Sequence, residues 1–141
     1  MKITRERILN EILSSSEVCN IFHKCTLDLQ EVLLKLVIES SEYSCNEEKY
    51  VKNMKETSIR FQKPYLVGRR RKNYCMLTFQ PQFNRILVEV RTDGIFIDSQ
   101  TIELNNIGNK YNGGFEWYGF SINKQDEIEE AVRLISKCYE G

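Results

Sequence analysis

The apolar residues of this chain change period twice, and that change constrains its fold more than any single motif. Val18, Phe22, Cys25, Leu29, Val32 and Leu36 follow one another by alternating steps of four and three, widened by Ile21, Leu33 and Val37. This is the buried stripe of an amphipathic helix, predicted to run from Ser16 to about Glu39. From Ser58 the period becomes two. Ile86, Val88 and Val90 then alternate with Arg85, Glu89 and Arg91, the mark of a strand with two different faces. After Asn123 the helical period returns with Ile128, Ala131, Val132, Ile135, Cys138 and Tyr139. Helices, then hairpin-linked strands, then a helix predict one α+β domain over residues 1–141. Its expected form is an antiparallel meander of about four or five strands, packed against two N-terminal helices and one C-terminal helix. The helical part should span about 4–40, the sheet about 57–122 and the last helix about 124–139.

Local signals refine this outline. Thr4 is placed to cap a first helix, with Ile3 and Ile8 at the spacing of a hydrophobic staple. Ser16 is the expected cap of the second. Leu33, Leu34, Leu36, Val37 and Ile38 surround most of that helix near its end. Such an end is covered by the sheet and by either another helix or a second subunit, so a homodimer through this helix is one expectation. Strands are expected at 59–61, with a continuation at 65–68, and at 74–79, 85–91 and 115–122, with a short one at 95–97. The Asn- and Gly-rich stretch 105–114 reads as a loop. Asn123, with Asp126 three positions on, is the expected cap of the last helix.

No apolar run approaches the roughly 20 residues a membrane span needs. The first residues lack the apolar centre of a signal peptide, so the expected location is cytoplasmic. Five cysteines, Cys19, Cys25, Cys45, Cys75 and Cys138, form no C-x-x-C pair and no even framework. Cys25, Cys75 and Cys138 fall on apolar faces, where a thiol acts as a small hydrophobe.

The formal net charge is zero, but its distribution is uneven. Residues 61–92 carry seven bases and one acid, whereas residues 93–141 carry four bases and nine acids. Four of those bases are consecutive: Arg69, Arg70, Arg71 and Lys72, flanked by Tyr65 and Tyr74. On a hairpin tip the cations would neutralise phosphates and the tyrosines would stack on unpaired bases. The expected function is therefore a non-catalytic binding module whose partner is nucleic acid or an acidic protein. The competing readings are a solvated turn that discourages edge aggregation, or a patch facing the acidic start of the last helix, Glu127, Glu129 and Glu130.

The segment from Tyr65 to Tyr139 resembles a bacterial family of unknown function, loosely labelled predicted transport protein, whose members often stand alone or sit at the end of restriction and defence proteins. The residues that carry the resemblance are Arg71-Lys72-Asn73-Tyr74, Phe79-Gln80-Pro81 and Ile86 to Arg91. They continue with Asn106-Ile107-Gly108, Asn112-Gly113-Gly114 and the Ala131 to Tyr139 helix. The family often has a His-Trp pair in its Gly-rich loop, where this chain has Asn109-Lys110-Tyr111. The resemblance implies the same fold and carries no chemistry.

A second functional reading is a small-ligand site or undescribed enzyme near the 108–114 loop, with Trp117, Tyr118 and Tyr111 lining an aromatic pocket. Against it stands ordinary core packing, to which aromatic rings contribute heavily. Cys19 and His23, four apart on one helix side, could share a metal, but their spacing with Cys25 and Cys45 matches no standard zinc pattern. His23 is the only histidine, and no nucleophile elbow accompanies it. Asp93, Asp98, Glu103 and Glu116 would have to converge to serve a metal-dependent nuclease. Glu89 and Arg91 read more simply as an exposed ion pair. No catalytic residue, metal or cofactor is expected.

Overall fold

In the computed structural model, residues 3–46, 58–64, 71–111 and 113–140 are described. The chain opens with α1 (Arg5–Ser14), α2 (Ser16–Lys24) and α3 (Leu27–Ser40), followed by β1 (Ser58–Pro64), β2 (Arg71–Gln80) and β3 (Arg85–Arg91). It closes with β4 (Asn105–Gly108), β5 (Trp117–Ile122) and α4 (Ile128–Glu140). The architecture is α+β, with a five-stranded antiparallel sheet and helices before and after it in the chain.

Helix α1 starts where its cap requires. The Thr4 hydroxyl accepts the Arg7 N–H at 3.2 Å, and Ile3 and Ile8 are both buried beside it. The single helix expected over 16–39 is two helices. Cys25 and Thr26 turn extended, and Thr26 Oγ1 accepts the Leu29 N–H at 3.2 Å, starting α3 afresh. The Gln30 amide donates back to the carbonyls of Phe22 (3.3 Å) and Cys25 (3.1 Å), bridging the break. Three N-terminal helices therefore stand where two were expected. The stripe stays in phase across the break, and Val18, Phe22, Cys25, Leu29, Val32 and Leu36 are all buried.

The sheet order is β1-β2-β3-β5-β4. Only its first three strands form a meander. After β3 the chain leaves through residues 92–104, lays β4 at the far edge and returns between β3 and β4 as β5. β4 falls inside the stretch expected to be loop, and Ile95–Ile97 form no strand. Ile59, Leu77, Val88 and Phe120 form one cross-strand row towards the helices, in a core shared with α3 and α4. Leu33, Leu34, Leu36 and Val37 are covered within this chain, so α3 needs no second subunit to bury its apolar end. The neighbouring row, Arg60, Met76, Glu89 and Gly119, lies on the opposite face.

Between Phe61 and Gln62 the register slips, so that Phe61 pairs with Cys75 but Gln62 with Asn73. Tyr74 is the extra residue of this bulge. It is fully buried, its hydroxyl donates to the Tyr43 carbonyl, and its ring packs on Tyr139 at 5.5 Å. A 3₁₀ turn at Pro81–Phe83, ending on left-handed Asn84, joins β2 to β3. A second one at Gln125–Glu127 leads into α4. There Glu127 Oε1 accepts the N–H groups of Asn123 (2.9 Å) and Lys124 (3.0 Å), so Glu127 does the capping expected of Asn123. No described helix is long and apolar enough to cross a membrane.

Candidate functional site

Strand directions gather the chemically notable groups at one end of the sheet. The end of β1, the start of β2, the end of β3 and the start of β5 lie together there by register. The last turn of α4 joins them, because buried Lys63 donates from Nζ to the Cys138 carbonyl at 2.6 Å. A cation at the carboxyl end of a helix meets unpaired carbonyls and the negative pole of the dipole. Burial lowers the Lys63 pKa, and nearby Lys72 adds to the fall, as does Arg91; neighbouring Cys138 and Asp93 oppose it.

The acids at this end are committed to internal bonds. Asp93 takes Arg91 Nε on Oδ2 at 2.6 Å and the N–H groups of Phe115 (2.9 Å) and Glu116 (3.2 Å) on Oδ1. Partial burial pushes its pKa up, but these bonds outweigh it and hold the carboxyl below its ordinary value. Glu116 Oε1 in turn accepts from Thr92 Oγ1 (2.6 Å) and the Gly94 N–H (3.1 Å). The 92–94 turn and the 114–116 segment are thus bonded into one block. Asp93 (φ +46°) and Gly94 (φ +91°) both take the left-handed region, which glycine enters freely and Asp tolerates. Gly114 (φ +81°) sits inside the block, where a Cβ would collide with Arg91 Nε and the Asp93 carboxylate.

Glu89 is not the exposed partner of Arg91 that its strand position suggested. It is 3% exposed, because the loop after β4 folds over this face of the sheet. The Tyr111 hydroxyl donates to Glu89 Oε1 at 2.5 Å, and Lys110 Nζ reaches Oε2 at 3.4 Å. Burial, then the bond to Glu89, raises the Tyr111 pKa. The Tyr111 ring stands edge-on to Trp117 at 5.2 Å, and Trp117 Nε1 donates to the Gly113 carbonyl at 2.6 Å.

The residues singled out in the sequence separate under this geometry. Arg69, Arg70 and Tyr65 lie outside the described residues. Arg71 is exposed and Lys72 half-buried at the mouth of β2. Tyr74 belongs to the core and presents no ring face to a ligand. Trp117 and Tyr111 do meet, but Trp117 is only 2% exposed. Tyr118 pairs with Val90 on the core side, and its hydroxyl receives the Asn106 amide at 3.3 Å. The three aromatics therefore do not line one pocket.

The remaining candidates have structural partners. Cys19 Sγ lies 3.4 Å from His23 Nδ1, and that nitrogen also bonds the Cys19 carbonyl at 2.8 Å. Cys25 is turned inward and donates to the Ile21 carbonyl. Among the described residues no three His, Cys, Asp or Glu side chains converge on a metal position. Glu130 is held by Arg133 (2.5 Å) and Ser99 (2.5 Å), in the first half of α4. Eight residues separate it from Cys138, about 12 Å along the helix, so the acidic start of α4 is remote from Arg71 and Lys72.

Sequence reasoning overlooked two exposed rings beside this end. Phe96 is 72% exposed, with Lys137 Nζ 5.7 Å from its centroid. Phe115 is 68% exposed and leans on the Gly94 turn, where an added Cβ would sit 3.5 Å from its ring. Both fall in stretches expected to be strand, 95–97 and 115–122, yet neither residue lies in a strand, so the fold and not the pattern exposes them. No family model, curated protein or solved structure matches the chain. The functional reading therefore rests on the site's own geometry and not on the resemblance drawn from the sequence.

Proposed function

We propose that the protein is a non-catalytic binding module that holds nucleic acid at the end of the sheet where β1, β2 and β3 gather their cations. One observation carries this reading. Arg71 and Lys72 of β2 and Lys137 of α4 come to this end, where Asp93 is ion-paired with Arg91, Glu89 with Lys110, and Glu116 accepts internal hydrogen bonds. A surface that collects cations and occupies its acids attracts a polyanion, and phosphate contacts give such binding a steep dependence on salt.

The test is a titration of fluorescently labelled DNA and RNA, single-stranded and duplex, at two salt concentrations. The native protein should bind at low salt and weaken by a power of the salt concentration that counts its phosphate contacts. R71E/K72E should weaken binding at least about tenfold and flatten that dependence. Native protein that binds none of these at low salt, or a charge-reversed variant that binds as well as native, would overturn the proposal. Preferential capture of an acidic polypeptide such as polyglutamate would do the same.

A further inference from the structure

We infer that the nucleic acid held at this end is single-stranded, with unpaired bases stacked on Phe96 and Phe115; this rests on the binding reading above and specifies its partner. Large apolar rings that are two-thirds exposed or more are not explained by core packing. Here two of them border one bonded block. Phe115 lies on the turn at Gly94, and Phe96 follows that turn by two residues. Lys137 lies over the Phe96 ring, and the Phe115 N–H is held by Asp93, which also takes Arg91.

The block also pre-organises the two rings. Asp93 holds the Phe115 N–H, and Glu116 holds the Gly94 N–H, so the segments bearing Phe115 and Phe96 are tied across the turn. Further along, Arg133 donates to the Asp98 carbonyl at 2.6 Å and Ser99 to Glu130, which lays the Phe96 segment against α4. Rings fixed in this way lose little freedom when a ligand stacks on them. A duplex keeps its base faces stacked inside and can use only the cations. A single strand can use cations and rings together, because every unpaired base offers a π face. The ligand chemistry that fits both is a flexible polyanion with planar apolar groups along it.

The experiment compares native protein, F96A/F115A and F96L/F115L with a single-stranded oligonucleotide of about ten nucleotides carrying 2-aminopurine, and with a duplex of the same sequence. Both rings are exposed, so the fold should persist; circular dichroism checks this, and the leucine pair preserves apolar bulk without a ring. Loss of the rings should weaken single-strand binding about 10- to 100-fold. Duplex affinity and the salt dependence should stay as in the native protein, and the 2-aminopurine quenching on binding should disappear in both variants. Unchanged single-strand affinity and quenching in these variants, alongside loss of binding in R71E/K72E, would overturn stacking and leave the polyanion reading intact. Native protein that binds neither oligonucleotide would overturn both.

Discussion

Among the described glycines Gly114 is the one whose replacement the structure tolerates least, although it lies in a loop. Its φ of +81° is open to glycine, and the space a methyl group would need holds Arg91 Nε and the Asp93 carboxylate. Gly114→Ala should cost about 1–3 kcal/mol from backbone strain alone, with the clash adding to it. Urea unfolding followed by Trp117 emission would measure this, since the indole bonds Gly113 in the same loop. Asp93 sets the behaviour in acid. Its carboxyl titrates lower in the folded protein than in the unfolded chain. The contribution to stability is therefore complete above the unfolded value, about pH 3.9, and is lost as pH falls through the lower, folded one. Unfolding free energy should decline across that window, and Asp93→Asn should flatten the decline. Glu130, lowered by its bonds to Arg133 and Ser99, leaves a remainder of the same sign. The type and place of Asp93-Gly94 marked a turn in the sequence. That Asp93 would cap the incoming loop 22 residues later was not legible, because its partners are backbone N–H groups that only the β3–β5 pairing brings near.

The break between α2 and α3 shows what a periodic pattern reveals and what it conceals. The stripe from Val18 to Leu36 correctly named the buried face, yet its unbroken spacing implied one helix. Two extended residues re-aim the axis while keeping the apolar positions in the core, so the period carries no trace of the break. The trace lies in Thr26, with Asp28 behind it, an N-cap signal in the middle of the pattern. Thr26→Ala should lower stability by about 1 kcal/mol. Gln30→Ala should cost a similar amount by removing the amide's bonds to the Phe22 and Cys25 carbonyls. Both are measurable by chemical denaturation. β4 escaped notice for a different reason. Asn105–Gly108 has strand-poor composition, and it is extended because β5 offers an open edge, a tertiary cause that outweighs local preference.

At the scale of the molecule, the sequence named the fold class and the buried faces; the order in which strands enter the sheet and the two exposed rings came only from the assembled fold. The thiols check that assembly. Cys25, Cys75 and Cys138 are buried, and burial raises the pKa of each, with Cys138 pushed up to about 12. A thiol reagent at pH 8 should modify Cys19 and Cys45 in the native protein and all five cysteines only after denaturation. More than two fast thiols without denaturant would contradict the described core. The outer edge of β1 has a further consequence. Asn46 donates to the Arg60 carbonyl and accepts the Gln62 N–H, and Cys45 donates its N–H to the Gln62 carbonyl. The opposite edge is β4, four residues long. Partners that recognise a sheet by adding a strand of their own need a run of unspent backbone groups. β1 has given up three of its groups to its own chain and β4 is too short to offer such a run, so association by strand exchange, and the fibrous stacking that grows from it, finds little foothold here.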